Sequence, residues 1–200
     1  MRLLIFDTET TGLPKTRSPA NEGPNNWPHI VSISWLIVDD NVIVKQRSYI
    51  VKPEGWTIPL ESIKIHGITT EHAHAEGQPL LKVVSEFISE VFDGIVAHNV
   101  DFDYNVLMNA IRWDVGMEFN GFSKPLFCTM KLSTKECGLL NGWGTLKFPS
   151  LKELYYNIFK RYPDTTRLHG SLYDVTVLCE CIQHCEWLQK KIYSVDVVNK

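Results

Sequence analysis

Apolar residues along this chain fall into two rhythms: short unbroken runs, and longer stretches spaced three and four apart. Arg2-Leu3-Leu4-Ile5-Phe6 is a run of the first kind, and its length and polar flanks predict a buried β-strand. His29 to Asp39 is a second, rich in β-branched and aromatic residues. Asp39-Asp40-Asn41 supplies a tight turn, and Val42 to Val51 alternates loosely as the return strand. Gly94 to His98 and Pro125 to Thr129 read as two further short strands. The helical rhythm runs through Ile58 to His66, Leu80 to Val91, Asp101 to Trp113, Lys131 to Glu136, Ser150 to Tyr162, and Ser171 to about Ile192. Pro59 and Pro79 sit near helix starts, and Ser150-Leu151-Lys152-Glu153 forms a capping box. Pro14 to Pro28 reads as an exposed loop, and the segment around Gly142 and Gly144 as a glycine-rich one. Three strands followed by alternating helices and strands predict an α/β fold. Its mixed five-stranded sheet has an antiparallel meander of three strands, with helices flanking it.

Composition narrows the class. Two hundred residues suffice for one domain, 1–200, with a proper core. A net charge of −3 argues against binding polyanions through bulk charge. The five cysteines contain no Cys-x-x-Cys pair, which argues against a zinc site and favours reduced thiols in the cytoplasm or nucleus. The first apolar run is too short for a signal peptide, and no stretch approaches membrane-spanning length, so no membrane partner is expected.

The chemistry begins at Asp7-Thr8-Glu9, directly after the first apolar run. Strand residues two apart share a face, so the two carboxylates lie side by side. Adjacent anions repel unless a cation sits between them, and hard oxygen ligands select Mg²⁺ or Mn²⁺. Two further acids recur where helices begin. Asp103 closes His98-Asn99-Val100-Asp101-Phe102-Asp103, and Asp174 closes His169-Gly170-Ser171-Leu172-Tyr173-Asp174. In this order, from about Met1 to about Gln189, these motifs resemble the DEDDh 3′→5′ exonucleases. That group includes polymerase proofreading subunits, Trex-type DNA exonucleases and oligoribonuclease-like RNases.

The resemblance implies a ribonuclease-H-like sheet and two Mg²⁺ ions, replaceable by Mn²⁺, held by Asp7, Glu9, Asp103 and Asp174. It also makes His169 the general base for in-line hydrolysis of a phosphodiester. Gly170 gives the His169 segment freedom to move, and His169 is expected to swing in only with substrate and metals. Thr10, Leu13, Glu61, His66, Asn99 and Phe102 match substrate-side positions, Leu13 as an apolar wedge on the terminal bases. Substrates would be single-stranded DNA or RNA 3′ ends, with DNA slightly favoured. The alternatives are an exoribonuclease on short oligoribonucleotides and a non-catalytic or polymerase-associated binding module. A polymerase partner and a homodimer both stay open.

Plainer readings compete at several positions. Ser171-x-x-Asp174 is also a capping box, and Asp101 is a neighbouring acid favoured by a helix start. His66-Gly67 is also an ordinary helix end. Between Thr145 and Arg167, five cations face two acids among several aromatic residues. That segment either guides single strands or forms a solvated face over a core of Tyr155, Ile158 and Phe159. Cys179-x-Cys181 reads as buried helix packing.

Overall fold

The structure is a computed structural model describing residues 1–194; the last six positions of the expected domain 1–200 lie outside the described residues. Its strands are Arg2–Thr10 (β1), Ile30–Asp39 (β2), Val42–Ile50 (β3), Gly94–Ala97 (β4) and Leu126–Cys128 (β5). They form one sheet in the order β3-β2-β1-β4-β5. β1 pairs antiparallel with β2, and β2 with β3. β1 pairs parallel with β4, and β4 with β5. The helices are Leu60–His66 (α1), Thr70–Glu76 (α2), Leu80–Ile88 (α3), Val100–Asn109 (α4), Thr129–Cys137 (α5), Leu151–Phe159 (α6), Ser171–Gln183 (α7) and Glu186–Tyr193 (α8). This is the mixed, helix-flanked five-stranded sheet that the sequence predicts.

Strand alternation sorts β1 between two cores. Leu4 and Phe6 point to one face, where they join Ile33, Trp35, Ile37 and Ile95 under α3 and α4. Leu3 and Ile5 point to the other, where they join Leu36, Val38 and Val96 under α6, α7 and α8. The edge strand β3 carries Lys45 and Arg47, which pair with Glu90 at 2.6 Å and Glu86 at 2.5 Å. Charges on an edge discourage pairing with another chain.

Toward its C-terminal end the α7 face of the sheet changes character. Beyond Ile5 it carries Asp7 and Glu9 on β1, opposite Ser34 and Ser32 on β2. Ser171, the first residue of α7, is buried here. Its Oγ lies 3.0 Å from Ser32 Oγ and 2.8 Å from Ser34 Oγ, and the Ser34 hydroxyl donates to Ser48 Oγ at 2.9 Å. Four small hydroxyl residues let the start of α7 approach the sheet closely while satisfying one another. The rival capping-box reading of Ser171-x-x-Asp174 does not hold: the Ser171 hydroxyl is spent on the sheet, and Gly170 is the N-cap.

Other boundaries moved for local reasons. α2 was not anticipated, because its polar sequence buries only Ala73 and shows little periodicity. The helix expected over Ser171 to Ile192 breaks at His184-Cys185. The helix expected over Asp101 to Trp113 ends in a π-helical turn, Ala110–Asp114. The helix expected to reach Tyr162 stops at Phe159, with Lys160 in the left-handed region. The segment Pro14 to Pro28 is not simply an exposed loop. Ala20 and Trp27 are buried, Trp113 Nε1 donates to the Ala20 carbonyl at 2.7 Å, and Ala20 N donates to Asn105 Oδ1 at 2.9 Å.

Replacing Ser34 with valine removes a hydroxyl that two serines use and adds bulk beneath α7. Denaturant unfolding is expected to show a loss of about 1–3 kcal/mol, with Ser34→Ala losing less. Equal stability of Ser34→Val and the parent would show that α7 does not depend on this contact.

Candidate active site

Three elements meet over the C-terminal end of β1. Asp7 and Glu9 project from its α7 face, and Thr8 from its α4 face. From the α4 side comes Asp103, only 3 % exposed. Its Oδ1 accepts from Thr8 N at 3.0 Å and Thr8 Oγ1 at 2.7 Å. From the other side α7 delivers Asp174 in its first turn. The register of β1 against β2 shifts between Glu9 and Thr10, and a bulge at this point re-aims the strand end.

The structure separates Asp103 from its neighbour Asp101. Asp101 is exposed and paired with Lys131 on α5, whereas Asp103 is buried beside the β1 carboxylates. Thr8 escaped the sequence reading, although its place between two acids was the available signal.

All four carboxylates resist ionisation. Asp7 is pushed well above the usual carboxylate range by burial, then by the charges of Asp103, Asp174 and Glu9. Burial, Asp174 and Asp103 push Glu9 up to about 8. Asp103 rises to about 7 through burial, against the pull of the Thr8 donors. Asp174 rises to about 6 through burial, opposed by the His169 N–H and the His169 charge.

His169 lies at φ 66°, in the left-handed region. Its backbone N–H donates to Asp174 Oδ2 at 3.2 Å. The ring is exposed, yet ligand atoms of Glu9, His169 and Asp174 all lie within 4.8 Å of one another. The expected swing is thus not needed to bring His169 to the carboxylates; it stands beside them here. A second staple holds its loop: Asp164 N donates to Tyr173 OH at 2.9 Å, and the Arg167 guanidinium lies 4.5 Å from the centre of the Tyr173 ring.

His66 closes α1 above the same site, and Gly67 provides the left-handed cap. Burial lowers its pKa, the Thr10 carbonyl opposes that, and the charge of His169 adds to the lowering. Its Nε2 is buried without a hydrogen-bond partner. The helix-end reading of His66-Gly67 therefore holds. The Thr10 hydroxyl donates to the Gly12 carbonyl at 2.7 Å in the turn that presents Leu13, which is 82 % exposed.

The remaining expected contacts are less convergent. Asn99 caps α4 at φ 81°, a conformation Asn tolerates better than most residues. Phe102 is half-buried against Trp27, with ring centres 6.0 Å apart. Glu61 is exposed on the first turn of α1. Five helical positions place it about 140° around the axis from His66, on another face. His98 Nε2 lies 3.0 Å from the Pro149 carbonyl and Nδ1 3.0 Å from Thr129 Oγ1. It clamps the chain before α6 to the end of β4, and burial lowers its pKa to about 4.

The donor set suits hard divalent cations. It is oxygen-rich and crowded with like charge, and Asp174 Oδ1 is buried with no hydrogen-bond partner. Glu9, His169 and Asp174 bring ligand atoms within 4.8 Å of one another, and Asp7 and Asp103 stand close enough to share their charge.

The sign of the linkage follows from the raised values. The folded protein holds protons that the unfolded chain releases above pH 4, so metal-free stability falls as pH rises from about 4 through about 8. Thermal melting in chelator is expected to show a lower Tm at pH 8 than at pH 5, and Mg²⁺ is expected to restore it. Glu9→Gln should raise the metal-free Tm at pH 8, by about 2–4 °C per kcal/mol of repulsion relieved. A chelated Tm that climbs between pH 5 and pH 8 would contradict this account.

No curated protein sequence matches the chain. Among solved structures, E. coli exonuclease I in complex with a dA16 oligonucleotide aligns with TM-score 0.72 and 16 % identity, over 97 % of this chain and 42 % of that one. The zinc-bound E. coli exonuclease I–ssDNA complex aligns with TM-score 0.71 and 17 % identity, again over 97 % and 42 %. Exonuclease X in complex with 5′ overhanging duplex DNA aligns with TM-score 0.60 and 25 % identity, over 96 % of this chain and 98 % of that one. The chain thus spans about two fifths of exonuclease I and nearly all of exonuclease X. The sequence profile of the exonuclease family RNase_T matches residues 4–182. With that match over most of its length, and acids gathered at the end of the central strand, the chain belongs to the RNase_T exonuclease family.

Proposed function

We propose that this protein is a divalent-metal-dependent 3′→5′ exonuclease of the DEDDh type. It removes nucleoside 5′-monophosphates from single-stranded ends, with DNA favoured over RNA. The observation that carries the reading is the convergence of Asp7, Glu9, Asp103 and Asp174, all held above their ordinary pKa, around an unpartnered carboxylate oxygen. Two Mg²⁺ ions held there, or Mn²⁺ in their place, would supply water activation and charge stabilisation for in-line phosphoryl transfer.

The protein's own groups do the rest. His169, exposed beside Glu9 and Asp174, takes the proton from the attacking water as general base. His66, whose pKa burial lowers, offers Nε2 to the terminal nucleotide. The Thr10 backbone N–H faces the 3′-hydroxyl, and Leu13 packs on the terminal bases. Asn99 and Phe102 line the groove, and Glu61 acts from its rim. The DNA named in the exonuclease I and exonuclease X structures supports the DNA preference. Residues 1–200 act as one exonuclease domain in a reducing compartment, cytoplasm or nucleus. No helix among the described residues is long and apolar enough to cross a membrane.

The test uses matched 5′-labelled single-stranded DNA and RNA with Mg²⁺, Mn²⁺ or chelator. A metal-dependent ladder shortening from the 3′ end is expected, faster on DNA. Asp7→Asn is expected to lose roughly 10³-fold or more in rate. Faster loss of RNA would reassign the substrate, and no degradation of either polymer would favour a binding module. His169→Ala is expected to lower kcat by about 10²–10⁴-fold; near-normal turnover would remove His169 from the mechanism.

A further inference from the structure

The chain between α5 and α6 forms a small, tightly built hairpin. Leu140 and Leu146 bridge antiparallel, Lys147 N donates to the Leu139 carbonyl at 2.9 Å, and Asn141 N donates to the Thr145 carbonyl at 2.9 Å. Asn141 Oδ1 accepts from Trp143 N at 2.9 Å and from Thr145 N at 3.1 Å, while its amide donates to Thr145 Oγ1 at 2.7 Å. Gly144 takes the left-handed conformation the turn requires, at φ 74°. Trp143, at the tip, is 91 % exposed, and Leu140, Leu146 and Phe148 are exposed beside it in the same segment. Several apolar side chains held open to water on one rigid support are the kind of surface that marks an interaction site.

The hairpin is tied to the candidate site. Two residues beyond its base, the Pro149 carbonyl meets His98 Nε2 at 3.0 Å. Lys147 pairs with Glu153 on α6 at 2.6 Å. Tyr156 lies one turn further along that helix, on the side of Glu153. It stacks on Tyr162 with ring centres 4.7 Å apart and planes 25° apart, and both rings are exposed. From Tyr162 the chain enters the loop that carries Arg167 and His169. The segment is thus fixed at one end to His98, next to Asn99, and leads at the other into the loop that carries His169.

Its charge names the occupant. Lys152, Lys160, Arg161 and Arg167 are exposed. Both acids of the segment are engaged: Glu153 by Lys147 and Ser150, Asp164 by Thr166. The result is a local excess of three positive charges in a chain of net charge −3. Aromatic faces interleaved with cations match the bases and phosphates of a single strand. A second copy docked symmetrically would set these cations against each other.

We propose that the Trp143 hairpin and the Tyr156–Tyr162 pair form a track for the single strand upstream of the end being cut. Bases stack on the rings, and phosphates face Lys152, Lys160 and Arg161. The proposal rests on the nuclease reading of the site, and its test has an arm that does not.

In chelator, where cleavage stops, binding of a 5′-labelled oligothymidylate of about 20 nucleotides is followed by fluorescence anisotropy. Trp143→Ala is expected to weaken it about tenfold, with Trp143→Phe retaining most of the affinity. With Mg²⁺, the advantage in kcat/KM of the long strand over one of about four nucleotides should shrink by a similar factor in Trp143→Ala and persist in Trp143→Phe. Unchanged binding and unchanged length preference in Trp143→Ala overturn the track. So does a Trp143→Ala variant that binds the strand normally but no longer self-associates, since the patch is then a protein interface. If the parent protein cuts no strand, the nuclease reading fails. The anisotropy then still decides the track: dependence on Trp143 supports it and independence overturns it.

Discussion

Four carboxylates crowded at one end of a sheet repel one another, and the surrounding structure exists to hold them there. Burial removes the water that would screen them, so the repulsion is felt in full. The opposing terms are backbone dipoles. Asp103 and Asp174 each sit in the first turn of a helix, where aligned peptide groups present partial positive charge. Thr8 adds two donors to Asp103, and the His169 N–H adds one to Asp174. Asp7 and Glu9 have no helix of their own and are raised most plainly. The cluster is kept in place by two helix ends and a strand, and left short of positive charge in its middle.

The alternation of β1 makes this possible. Its successive side chains serve two different layers, so a single strand joins two cores and points its last residues into both. Where the α7 layer needs close approach, the face turns from aliphatic to serine, and α7 settles low enough to bring Asp174 to the level of Glu9. Ser171 thus acts in the site by fixing a height rather than by touching substrate.

Much of this was legible in the sequence because it is local. The β1 run and the two-residue spacing of Asp7 and Glu9 need only the strand period, and the three antiparallel strands follow from a turn and two apolar stretches. Asp103 and Asp174 were found through motif order rather than through pattern, since each stands where any helix start favours an acid. The unreadable parts are long-range. Ser171 resembled a cap because its partners, Ser32 and Ser34, lie far away in the chain. The burial of Ala20 and Trp27 depends on Asn105 and Trp113, which nothing in Pro14 to Pro28 announces. α2 is stabilised by its N-cap, Thr69, and by one buried alanine, too little to register as a periodic signal.

The odd and even positions of β1 also decide where this chain can change length. An added residue in the segment ahead of Leu126 would be absorbed at the surface, as loops generally permit. One added residue between Leu3 and Asp7 would turn every later side chain of the strand over. The acids would then meet α4, the threonine would meet α7, and the later apolar residues of β1 would change cores. Added length is therefore expected in the surface loops, with the nine residues of the first strand left unbroken.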